Sequence, residues 1–315
     1  MARLPGSLIR AAIGAIEADD ASVNLCGYRS RVEIAVILGL DALSFMLALL
    51  LVALGLIIVF GLMNVINMAH GEFFLLGAYT VVLCETVGGG FWLGLLLAPL
   101  VLAVLGLVLE ALVIRHVYHR FIDTILATWG LSLAIKQAVI VAFGPTAQQV
   151  ANPFPQQVLI LGAVYPAYRL FIMAVALLVA GGTFLLFYRS NLGLAARGVI
   201  ANRAMAASLG INTRAMDRAT FAFGAALAGL AGAVMAPLMS VDPQMGVGFL
   251  VPAFLSILVG GAGSLPGALL GTSLIAGAST VVASIWTQVV AQIAVFSLAI
   301  LIIRMFPQGL TGGRR

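Results

Sequence analysis

The stretch that decides the fold is FGLMNVINMAHGEFFLLGAY, residues 60–79. It sets Asn64, Asn67, His70 and Glu72 inside the most apolar part of the chain, where unpaired polar groups are costly. Read as a continuous helix, Gly61, Asn64, Asn67 and Gly71 fall at i, i+3, i+6 and i+10, with His70 three beyond Asn67, so they share one face. Leu62, Met63, Val65, Ile66 and Met68 fill the other faces. A polar stripe on an apolar helix must face protein or water, because lipid satisfies no hydrogen bonds. Two readings stay open: the stripe lines a path for a polar solute, or Asn and His satisfy the backbone of a kink. Glu72 also admits a place at an interface.

The surroundings are those of a bilayer protein. Hydrophobic residues make up 63% of the 315 and charged residues 9%, and the mean hydropathy is +1.16. Soluble domains average roughly 45–50% apolar and 25% charged. Apolar runs near 34–60, 73–88, 91–114, 121–143, 166–188, 219–241, 249–262, 267–287 and 290–306, measured against the roughly 20 residues a span needs, predict an all-α polytopic membrane protein with eight or nine transmembrane helices. Some are expected to be discontinuous, because residues 61–72 and LVGGAGSLPG at 258–267 interrupt their runs. Residues 1–33 form an N-terminal extension, and 34–315 one transmembrane domain. Arg3, Arg10 and the polar EADD at 17–20 precede the first long run in an order unlike a cleaved leader.

The net charge of +5 comes from arginines scattered singly, without the dense basic patch of a nucleic-acid binder. Orientation accounts for them: basic loops stay on the cytoplasmic side. RHVYHR at 115–120, the segment 189–218, and Arg304, Arg314 and Arg315 are then cytoplasmic, and the Lys- and Arg-free loop 144–165 is external. Counting back leaves Arg29 and Arg31 outside unless 61–72 is re-entrant or the over-long first run crosses differently. Glu110 and Asp123 are expected to pair with Arg115 and Arg120, and Lys136, the only lysine, to snorkel outward. Asp41 is a further intramembrane charge.

Small residues recur at packing intervals, Gly224, Ala228 and Gly232, then Gly263, Gly267 and Gly271. The interruptions around Gly61–Gly71 and around Gly260, Gly261, Gly263, Pro266 and Gly267 fall in the two halves of the chain, as discontinuous helices of transporters do. Catalytic signatures are missing: His70-Gly71-Glu72 is no H-E-x-x-H helix, His116 and His119 lack a third ligand, and Cys26 and Cys84 show no metal or redox spacing. No phosphate-binding G-x-x-x-x-G-K-[ST] loop is present, so no ATP hydrolysis, metal or cofactor is expected of this chain.

Within 189–218, Ala204 to Leu209 is a run of helix formers closed by Gly210 at C′, and Asn212 or Thr213 can cap the next helix. A small-residue helix with an apolar tip between arginines suits insertion into a partner's groove or a place at the membrane interface.

GLMNVINMAHGEFFLLGAY, FIDTILATWGLSL, GLAARGVIANRAMAASLGIN, LVGGAGSLPGALLG and FPQGLTG, in this order from about residue 36 to 313, resemble the permeases of ATP-binding-cassette importers for branched-chain amino acids, a family that also takes in urea and short-amide permeases. The resemblance implies a second permease subunit, two cytoplasmic ATP-binding subunits and a periplasmic or extracellular solute-binding protein in a bacterial cytoplasmic membrane. It places the ATPase-docking helix on Arg197 to Ile211, with Arg197, Arg203, Ala206, Leu209, Gly210 and Ile211 as its residues, and Ala204 where many importers carry Glu. Asn64, Asn67, His70, Gly71 and Glu72 are the expected path. ATWGLSL and GPTAQQVANP lean towards the urea and amide branch; an ATP-independent channel or secondary carrier is the alternative of another class.

Overall fold

A computed structural model describes residues 6–117, 121–261 and 263–311. Arg120, His119, Ala262, Arg314 and Arg315 lie outside the described residues. The helices are α1 (Gly6–Met63), α2 (His70–Thr86), α3 (Gly90–Leu112), α4 (Phe121–Phe143), α5 (Ala167–Arg189), α6 (Asn191–Ala201), α7 (Arg203–Ser208), α8 (Thr213–Met235), α9 (Met245–Gly260), α10 (Leu265–Ile285) and α11 (Gln288–Met305). Among the described residues seven are long and apolar enough to cross a membrane, while α2 and α9 are shorter, at 17 and 16 residues. Together these nine coincide with the nine apolar runs. One departure from all-helix structure is an antiparallel hairpin, β1 (Gln157–Ile160) and β2 (Ala163–Pro166), in the loop without Lys or Arg.

The hairpin and the Arg-rich segments mark opposite ends of the bundle. Glu33 lies beside Gly162 at the hairpin turn, and the Tyr165 hydroxyl donates to Asp41 Oδ1 at 3.1 Å, where Arg169 also pairs. At its other end α1 brings Gly61 against Gly263 and Ile200. The apolar part of α1 therefore crosses once, from the hairpin side to the Arg-rich side. Residues 64–69 then turn back part of the way, but Glu33 stays at the hairpin end, so this reversal does not carry the start of the apolar run to the Arg-rich side as the charge pattern asked.

Helices α1 and α8 form the core: 78% and 67% of their apolar windows are buried within the chain, against 17% for α4 and α11. Lipid gives no hydrophobic drive for helix association, so packing rests on close backbone approach. A Cβ on Gly77 would overlap Gly229, one on Gly232 the Phe74 carbonyl, and one on Gly271 the Ser256 carbonyl. Gly224 packs on the backbone of Gly55, and Gly260 and Gly267 face each other. The small-residue rows thus serve packing. Gly263 differs: it sits at φ +87° in the α9–α10 turn, following Gly261 at φ +114°, and Ser264 and Pro266 open α10. The late interruption is consequently a tight connection between two helices, not a break inside one.

Gly232→Val should abolish folded protein, a loss of about 3 kcal/mol or more from overpacking and a forced α2–α8 separation. Gly277→Val is the control, since nothing lies within 4 Å of a Cβ there. Monodisperse yield and thermal midpoint in micelles report the difference; equal behaviour of the two variants would contradict the α2–α8 seam.

Candidate functional site

The site begins where α1 stops. Asn64 N–H donates to Phe60 O at 2.8 Å, the last helical bond, and Asn64 itself is left-handed at φ +52°. Asn tolerates that conformation and ends helices in it. His70, which opens α2, lies level with Val52 and Gly55, so residues 64–69 return the chain by roughly three turns of α1. The expected single polar face over 61–71 is therefore corrected: this segment is a reversal, and its polar residues point different ways. Asn64 is exposed, whereas Asn67, His70 and Glu72 are 1%, 0% and 1% exposed.

Each buried residue supports the reversal. Asn67 Oδ1 accepts from Ala69 N–H at 3.0 Å in an Asx turn. His70 Nε2 lies 3.1 Å from Val52 O; a carbonyl only accepts, so Nε2 carries the proton. Gly71 packs backbone to backbone on Gly246 and presents no side chain. Glu72 Oε1 accepts from the Ser132 hydroxyl at 2.9 Å and sits 3.5 Å from Lys136 Nζ.

Lys136 thus turns inward, 15% exposed, and does not snorkel. An isolated carboxylate at this depth would cost far more than a paired one, which gives the ammonium its partner. Helix α4 supplies more than the lysine. Met68 N–H donates to Thr128 Oγ1 at 3.2 Å, and Thr128 donates its own proton to Thr124 O at 2.9 Å. Thr124, Thr128, Ser132 and Lys136 follow at intervals of four, so they climb one side of α4. That interval is present in TILATWGLSLAIK, but three of its four members are uncharged hydroxyl residues that stand out only beside Glu72.

The side chains brace the reversal, yet Asn67 Nδ2, His70 Nδ1, Glu72 Oε2 and Tyr79 Oη are buried with no hydrogen-bond partner among the described residues. Buried polar atoms are almost always satisfied, by protein or by bound water. The orphans on Asn67, His70 and Glu72 lie at the reversal, whereas that on Tyr79 sits more than two turns further along α2, against Phe143.

At the Arg-rich end, α7 is tightly specified. Asn202 Oδ1 caps it through Met205 N–H at 3.0 Å, and Asn212 Oδ1 caps α8 through Ala215 N–H at 3.0 Å. Gly210 is the expected C′ residue at φ +87°; Ile211 N–H reaches Ala206 O at 3.1 Å and Gly210 N–H reaches Ala207 O at 3.0 Å, a Schellman closure. Leu209 and Met205 are 76% and 60% exposed, whereas Ala206 is 3% exposed and Ile211 is partly buried against the core. Met205 belongs to the exposed tip, and sequence reading omitted it. Arg203 pairs with Asp217, and Arg197 stacks over the Tyr188 ring at 5.3 Å. Glu110 meets Arg218 Nε at 3.2 Å, a partner on α8 beyond those the sequence suggested.

Between this end and the reversal lies a cavity of about 310 Å³, lined by Ile57, Ile58, Arg197, Ile200, Gly263 and Ser264 among others. Gly61, three residues before Asn64, touches both Ile200 of α6 and Gly263 of the late turn. The two glycine-rich interruptions therefore meet in space.

Removing one partner of the Glu72–Lys136 pair leaves a buried charge. Lys136→Met, which strands the more buried group, should cost about 3–5 kcal/mol, Glu72→Gln somewhat less, and the double variant should recover more than half of the larger loss. Unfolding free energies in micelles, combined as a double-mutant cycle, measure the coupling; additive costs would show that the two charges do not interact.

The permease-like pattern agrees with known proteins. A family model described as "Branched-chain amino acid transport system / permease component" matches residues 39–305. The high-affinity branched-chain amino acid transport system permease protein BraD of Pseudomonas aeruginosa is 30% identical over 282 residues, covering 83% of this chain and 91% of BraD. LivH of Escherichia coli K12, of the same description, is 26% identical over 83% of this chain and 90% of its own length. A probable branched-chain amino acid transport permease protein LivH of Methanocaldococcus jannaschii is 26% identical over 84% and 88%. With the family match covering most of its length, this multi-pass membrane chain belongs to the permease components of branched-chain amino acid transport systems.

Proposed function

We propose that this chain is the subunit through which a branched-chain amino acid crosses the bacterial cytoplasmic membrane, driven by ATP hydrolysis on separate subunits. The observation that carries the reading is the reversal at 64–69, a polar break with orphaned hydrogen-bonding atoms inside a chain of this permease family. Its partners are a second permease subunit, two ATP-binding subunits and an external solute-binding protein. The transport systems named in its relatives favour a branched-chain amino acid over urea or a short amide.

The exposed tip of α7, Met205, Leu209 and Gly210, is the contact for the ATP-binding subunit. Movement there passes through α6 to Ile200, on to Gly61 at the end of α1, and so to Asn64 and the reversal. The Glu72, Ser132 and Lys136 cluster holds α4 to the reversal while the path opens on one side and then the other. Asn64, Asn67 and His70 offer a solute hydrogen bonds without fixed charge, and tight binding is not needed for passage.

Gly210→Arg is a poor test of docking, because the left-handed backbone would strain any side chain. Leu209→Asp puts a charge on the exposed tip without touching the core. Labelled leucine uptake in cells carrying the whole transporter should fall about tenfold or more, roughly the effect of burying an unpaired charge in an interface, with the membrane level of the chain unchanged. Undiminished uptake would remove α7 from the docking surface. Loss of urea uptake alone in cells lacking this chain would replace the amino-acid reading, and uptake that follows a solute or ion gradient without the ATP-binding subunits would indicate a carrier or channel.

A further inference from the structure

A second polar site lies apart from the reversal, at the Arg-rich ends of α3, α7 and α8. It is a cleft of about 530 Å³ whose lining includes Arg115, Arg203, Arg214 and Arg218 against two carboxylates, Glu110 and Asp217. The carboxylates hold Arg218 and Arg203. Arg115 and Arg214 have no ion-pair partner among the described residues, and His116 and the Thr213 hydroxyl stand beside them. The cleft therefore carries an excess of two positive charges, with the paired acids as its scaffold.

The arrangement on the membrane side of Arg115 identifies the anion. Leu100, Val104, Val108 and Leu112, spaced by four on α3, are 62%, 60%, 44% and 68% exposed, and the stripe ends one turn before Arg115. An exposed apolar row running out of a guanidinium-rich cleft at the basic end of a membrane bundle matches one molecule in two parts, an acyl chain and a phosphate. Guanidinium binds phosphate through paired N–H donors, and basic pockets on this side of membrane proteins attract anionic headgroups. An acidic protein surface would use the cleft and leave the stripe unexplained.

We propose that the cleft of Arg115, Arg214, His116 and Thr213 holds the phosphate of an anionic phospholipid whose acyl chain lies along Leu100, Val104, Val108 and Leu112.

The test uses the full chain reconstituted in mixed phosphatidylglycerol and phosphatidylcholine, extracted, and examined by native mass spectrometry. Phosphatidylglycerol should be retained in preference to phosphatidylcholine, and Arg115→Gln/Arg214→Gln should weaken that retention roughly thirtyfold, the effect of two guanidiniums near an anionic headgroup. Because neither arginine is in an ion pair with a described residue, the thermal midpoint without added lipid should not change; Val108→Ser/Leu112→Ser, which leaves the cleft intact, should also reduce retention. Equal retention of the two lipids, or full retention by the arginine variant, would overturn the proposal. So would displacement of the lipid by inorganic phosphate with no effect of the stripe variant, which would mark a site for a free anion. In a parallel extraction of the assembled transporter, loss of ATP-binding subunits from the arginine variant with lipid retention intact would overturn the proposal and mark a protein-docking site instead.

Discussion

A helix that ends inside a bilayer leaves N–H and C=O groups that no solvent can satisfy, and the rest of this structure follows from how those groups are met. Between Met63 and His70 the backbone leaves helical geometry and returns towards the hairpin side. Asn67 and Thr128 supply the bonds that water would supply elsewhere. Helix α4, otherwise largely exposed, is held at this point by Thr128, Ser132 and Lys136. The Glu72–Lys136 pair is stable at this depth because each charge neutralises the other.

The glycine seams serve the same constraint from another direction. A reversal within the membrane has room only if neighbouring backbones approach closely, and Gly77, Gly229 and Gly232 remove the side chains that would keep α2 from α8. Gly61 and Gly263 do so where the end of α1 meets the turn between α9 and α10. Rigid packing on one side and a polar hinge on the other is a combination suited to two discrete arrangements of one bundle.

Much of this was legible in the sequence. The nine apolar runs reappear as nine helices because span length and hydropathy are properties of single segments, and Gly210 was readable as a C′ residue because a Schellman closure is local. What failed depended on neighbours distant in the chain. Residues 61–71 look helical by periodicity, and only the left-handed Asn64 and the bond from His70 to Val52 turn them into a reversal. The inward turn of Lys136 required Glu72, and the pairing of Glu110 with Arg218 required α8 to pack on α3. Thr128 and Ser132 are unremarkable alone; their interval of four gains meaning once α4 is known to face the reversal.

The central claim is that the reversal lies in an aqueous solute path, and cysteine accessibility at Asn64 tests it most directly. With Cys26 and Cys84 replaced by Ser, Asn64→Cys should react with a hydrophilic maleimide in the assembled transporter, more slowly in excess leucine, while Leu100→Cys on the lipid-facing stripe of α3 should not react. If Asn64→Cys reacts only with a membrane-soluble reagent, or at a rate indifferent to leucine, the reversal faces lipid or buried protein and the solute crosses elsewhere.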